Sequence, residues 1–123
     1  MSKGMLHTVV ETPEFRRAAK TSGLGARELG RIVDHLARRP DAGELIPGTG
    51  GARKVRFRGR GHGASGGYRV VTAWADSRTP VFLLTVFAKG DRIDLTSAER
   101  NELRDTIDLI ISAYREGERG RQP

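Results

Sequence analysis

The chain contains no cysteine, which removes disulfides, thiolate nucleophiles and thiolate-based zinc sites together. It holds no apolar run near the length of a bilayer span and no apolar segment of signal-peptide type at its start, so a soluble cytoplasmic protein is expected. Aromatic residues are only 6% of the 123, and the core must be aliphatic and modest. The 37% hydrophobic content still exceeds that of a disordered polyelectrolyte. His7, His35 and His62 are scattered over separate segments with no HExxH pair. Neither a metal nor a small-molecule cofactor is expected.

The most informative lack is of acid. From Leu45 to Ala75 there is no Asp or Glu, while Arg53, Lys54, Arg56, Arg58, Arg60 and Arg69 stand there among eight glycines. The whole chain carries a formal net charge of +7, so these six cations leave the remainder close to balance. Concentrated positive charge beside a closely approachable backbone suits a phosphate polymer, and nucleic acid is the first partner to consider. A lipid surface fits less well, because the cations lie among glycines and on an expected strand instead of on an amphipathic helix with bulky apolar anchors.

Periodicity places these residues. Met5 to Val10 is a short β-favouring run ending at Glu11. Thr12 is an N-cap with Pro13 at the first helical position and Phe15, Ala18 and Ala19 on one side. From Ala26, the spacing Leu29, Ile32, Val33, Leu36 predicts a second amphipathic helix, closed by Arg38, Arg39 and Pro40. Asp41 to Gly51 is rich in Gly and Pro and is expected to be a long ordered loop. Lys54-Val55-Arg56-Phe57-Arg58 alternates with period two, so a strand there turns three cations to one face and two apolar side chains to the other. After a glycine loop, Tyr68 to Ala75 and Val81 to Ala88 are further strands, the last apolar at both parities as a central strand should be. Thr96-Ser97-Ala98-Glu99 is a capping box opening a helix with the stripe Leu103, Ile107, Ile110, Ile111, Tyr114. The fold class expected is α+β in the order β-α-α-β-β-β-α: two N-terminal helices and a C-terminal helix on a twisted, mainly antiparallel four-stranded sheet. Residues 1–114 form one domain in this reading, and the charged stretch 115–123, with nothing to bury, is a frayed tail.

Two glycine motifs are set aside. Gly61-x-Gly63-x-x-Gly66 matches a dinucleotide fingerprint in letters, but it joins two strands and lacks the helix whose N-terminus would hold a pyrophosphate. Gly48-Thr49-Gly50-Gly51 lacks the GK[ST] ending of a P-loop.

The segments His7 to Phe15, Ile46 to Arg56, Ser65 to Val70 and Leu84 to Lys89 follow one another in an order that resembles the HigB-type, RelE-like branch of the RelE/ParE toxin superfamily, over roughly Leu6 to Leu109. The resemblance implies a small α+β toxin of a type II toxin–antitoxin system that cuts mRNA on the ribosome. It also implies, as partners, the ribosome with its mRNA and a cognate antitoxin carrying a helix-turn-helix. By the same resemblance, Lys54 and Arg56 match the two basic residues on this strand, Arg69 matches the arginine that clamps the scissile phosphate, and Lys89 matches the cation ending the last strand. Metal-free RNA cleavage needs a base for the ribose 2′-OH, cations for the charge growing on phosphate, and an acid for the 5′-oxygen. Lys54, crowded by arginines, is the first candidate to move a proton, and His62 on the glycine loop is the second.

Simpler roles stand beside these. Arg53, Arg58, Arg60 and Ser65 fit phosphate positioning, or for the arginines plain solvation. Lys89 fits a guard on a strand edge. Tyr68 either stacks a base or packs inward, since Val70 and Trp74 share its parity. Two positions depart from the family pattern: Ala64 stands where many relatives carry a loop lysine, and Leu95 lies near where several cutting members carry a tyrosine. Both favour the alternative of a non-catalytic ribosome- or nucleic-acid-binding module, or an inactivated toxin; a ParE-like gyrase inhibitor is the third reading.

Overall fold

The computed structural model describes residues 6–58, 67–88 and 95–121. Along the chain run β1 (Val9–Glu11), α1 (Pro13–Thr21), α2 (Ala26–Arg38), β2 (Glu44–Leu45), β3 (Ala52–Arg58), β4 (Gly67–Ala73), β5 (Val81–Ala88) and α3 (Ser97–Arg121). The fold is α+β, three helices with a mixed five-stranded sheet in the order β1-β5-β4-β3-β2. β1 lies parallel to β5, and every other pairing is antiparallel.

Local signals account for the helix starts. Thr12 Oγ1 accepts from Phe15 N at 3.1 Å and donates to Leu83 O at 2.8 Å, so one side chain caps α1 and ties it to β5. At α3 the capping box is reciprocal: Glu99 N donates to Thr96 Oγ1 at 3.1 Å and Thr96 N to Glu99 Oε1 at 2.9 Å.

The helices cover opposite faces of the sheet. On one, Phe15, Ile32 and Leu36 from α1 and α2 pack with Val55, Val70, Val81, Leu83 and Val86. On the other, Ile107 of α3 packs with Ala52, Val71, Ala73, Phe82 and Leu84. Central β5 is thus buried on both sides, as its double-parity apolar run requires. A register shift between Val71 and Thr72 passes from the Thr72↔Leu83 pair to Val71↔Thr85. Leu84 is therefore a bulged residue, and the parity of β5 switches there, with Leu83 and Val86 on the α1/α2 face and Phe82, Leu84 and Phe87 on the α3 face.

Two expectations are corrected. The sheet has five strands, not four, because Glu44–Leu45 inside the expected loop pairs with Lys54 and Arg53. The connection from β2 to β3 is held by the buried Thr49, whose Oγ1 donates to Ile46 O at 2.7 Å and accepts from Ala52 N at 3.0 Å. The stretch 115–123, expected to be frayed, is helical as far as Arg121. Arg115 is held there by Asp76 at 2.7 Å, across from the turn after β4.

Candidate nucleic-acid interface

Strand parity decides which cations meet. Val55 and Phe57 turn to the α1/α2 core, so Lys54, Arg56 and Arg58 share the α3 face with Ala52. In β4 the same face carries Arg69 and Val71. Cross-strand register then builds two adjacent rows: Glu44, Lys54, Val71 and Thr85 run across β2, β3, β4 and β5, and Arg56, Arg69 and Phe87 form the next row. Neighbouring strands lie about 4.8 Å apart, so each row is a continuous strip of side chains.

α3 covers the Ala52, Ala73 and Phe82 end of this face and leaves the basic end open. One concavity there is lined by Gly43, Glu44, Lys54, Arg56 and Arg69. A second shares Glu44 and Lys54 with it and is walled by Leu45, Ile46 and Pro47 on the β2 side. Its far wall is Phe87, Leu95 and Arg100, with Val71 in the floor. The two form one groove with a cationic half and an apolar half.

Charge in the groove is left unspent. Among the described residues the side chains of Glu44, Lys54, Arg56, Arg69 and Arg100 make no ion pair, whereas Arg16, Arg17, Arg38 and Arg115 each face a carboxylate. The Nε–H groups of Arg69 and Arg100 are sealed from solvent and meet no acceptor among the described residues. Buried donors without acceptors cost free energy, and such a cost persists where a ligand supplies the acceptor. Arg56 and Arg69 are also directly opposite in register, a like-charge pairing that works against the sheet.

No family model matches the chain. Among solved structures it is similar to a double arginine-to-alanine mutant of the E. coli toxin RelE in the free state, at 22% identity and a TM-score of 0.49, with 87% of this chain and 99% of that chain covered. At that distance no residue role passes from one chain to the other.

Of the residues singled out in the sequence, Lys54, Arg56 and Arg69 come together. Arg58 shares their face at the exposed end of β3, its carbonyl accepting from Arg31 Nη2 at 2.8 Å. Arg53 points the other way, donating to Gly43 O at 3.0 Å, and so is removed from the basic face. Tyr68 also points away: it packs on the α1/α2 core with its hydroxyl 3.4 Å from Gly23 O, which leaves no ring for base stacking in the groove. His62, Arg60, Ser65 and Lys89 lie outside the described residues, as does Ala64. His35 on α2 is exposed, its ring perpendicular to that of Phe57 with centroids 5.5 Å apart.

Three groove residues escaped the sequence reading. Glu44 is the last carboxylate before the acid-free block, a position that needed a strand at Glu44–Leu45 to become meaningful. Phe87 was absorbed in an apolar run whose bulge no pattern announces. Arg100 left a usable trace, since a cation near a helix N-terminus opposes the helix dipole. A local rule break of this kind is where a functional or strained site is to be looked for.

Proposed function

We propose that this protein is the toxin of a type II toxin–antitoxin pair that binds mRNA on the ribosome and cuts it within the groove. The observation that carries the proposal is the convergence of Lys54, Arg56 and Arg69, none of them in an ion pair among the described residues, on one concavity that holds a single carboxylate, Glu44. A strand of RNA supplies the missing anions.

In this scheme the ribose 2′-oxygen attacks the adjacent phosphorus as its proton passes to a base, and the P–O bond to the 5′-oxygen breaks as that oxygen takes a proton. A 2′,3′-cyclic phosphate and a 5′-hydroxyl result. Arg56 and Arg69, facing each other across β3 and β4, suit the two non-bridging oxygens whose charge grows in the transition state. Lys54, one row away at the junction of the two concavities, is the described group best placed to move a proton or to hold the next phosphate.

One observation favours binding without cutting. Leu95 lines the apolar wall of the groove, and a leucine side chain has no proton to give near where the resemblance would put a tyrosine. The same experiment separates the two readings. Transcript ends mapped on translating ribosomes should show new cuts with the wild type, and Arg69→Ala should reduce them by about 100-fold or more, the scale of losing one transition-state donor. Stalled translation with unchanged ends would leave a binding module, and neither effect would remove the proposal.

A further inference from the structure

We infer that the apolar half of the groove is a guanine-reading pocket, which would make the strand bound by the cationic half sequence-selective; this rests on the groove being an RNA site. The cavity is about 150 Å³ and adjoins the cationic concavity through two shared residues, Glu44 and Lys54. A nucleotide whose phosphate lies on Lys54, Arg56 and Arg69 thus has an apolar slot within reach of its base. The slot is lined by Ile46, Pro47, Leu95 and the aromatic Phe87, an apolar setting in which one ring is available to stack on a base.

What selects the base is the pair of charged groups in that slot. Glu44 brings a carboxylate from β2, and Arg100 brings a guanidinium from the first part of α3; neither has a side-chain partner among the described residues. Arg100 Nε–H is moreover buried without an acceptor. A carboxylate accepts from two adjacent donors, and an arginine donates to two adjacent acceptors. Guanine offers both patterns: N1–H and the N2 amino group on one edge, O6 and N7 on another. Adenine and cytosine each turn an amino donor toward the place where an arginine needs an acceptor, and uracil has one ring N–H for the carboxylate where guanine has two donors. Without a bound base, Glu44 is a negative charge set among phosphate-binding cations, where it weakens binding of any strand. Opposite Lys54 in register, Glu44 also has a cross-strand role of its own, to which reading a base adds a second.

The test uses fluorescein-labelled five-nucleotide single strands, uridine throughout except for a central G, A, C or U, with 2′-O-methyl riboses so that no strand is cut. Anisotropy titration of the full chain should show the G strand bound about tenfold more tightly than the other three, within the range one good bidentate contact supplies. Glu44→Gln and Arg100→Ala should each bring the G strand to the level of the others, while Lys54→Ala should weaken all four alike. Circular dichroism of each variant confirms that its fold is kept. Equal affinity for the four strands in the wild type overturns the pocket and leaves the RNA groove intact. A uniform rise in affinity for all four with Glu44→Gln likewise reduces Glu44 to a charge effect and overturns it. No binding of any strand removes the groove reading and the pocket with it.

Discussion

Arg56 and Arg69 sit directly opposite each other on adjacent strands. A sheet selected for stability alone would place an opposite charge or a β-branched residue at one of the two, gaining on the order of 0.2–1 kcal/mol from the cross-strand pair. Keeping both arginines, one with its Nε–H sealed and unmet, is the pattern of a site that trades stability for binding. Arg56→Thr should therefore raise the unfolding free energy by about 0.5 kcal/mol while weakening single-stranded RNA binding. Urea denaturation and anisotropy on one preparation check both halves. A variant that loses stability and affinity together would show the pair to be structural. The sequence made the two arginines legible as members of a basic block, but their opposition depends on hairpin register, which the intervening glycine loop hides.

At the scale of elements, the parts legible from sequence are those with a period or a cap. The alternation at Lys54 to Arg58 assigned each side chain its face, and Thr12 and Thr96 fixed where helices begin. What could not be read was β2, since two residues carry no periodicity and their strand character comes from pairing with Arg53 and Lys54. Nor could the bulge at Leu84, because a run apolar at both parities looks the same with or without a skipped residue. The position of β2 depends on Gly43, whose φ of +92° is a left-handed conformation and whose added Cβ would stand 2.5 Å from Lys54 O and 2.8 Å from Val55 Cγ2. The clash is with backbone, so it cannot be relieved by a rotamer change. Gly43→Ala should cost about 2–3 kcal/mol, the upper part of the range for a strained backbone position, and should displace Glu44 from the groove. The urea midpoint should fall with an unchanged m-value; a midpoint equal to that of the wild type would mean β2 is not held in this register.

For the whole molecule the question is where the positive charge is spent. Arg17 with Glu14 at 2.6 Å, Arg38 with Asp34 at 3.2 Å and Arg115 with Asp76 at 2.7 Å are exposed pairs, each of little worth to stability. They pair off part of the charge on the helices, whereas Lys54, Arg56, Arg69 and Arg100 in the groove are in no ion pair among the described residues. No helix among the described residues is long and apolar enough to cross a membrane. Single-stranded RNA loses affinity with salt at a slope of about −0.7 per phosphate neutralised. Lys54, Arg56 and Arg69 should then give a log–log slope of about −2, which Arg69→Ala lowers in magnitude by about 0.7. Arg38→Ala, on the far side of the sheet and already paired, should leave the slope unchanged. If both variants shift it equally, the RNA is held by diffuse charge over the whole surface, and the groove is only where the cations happen to be dense.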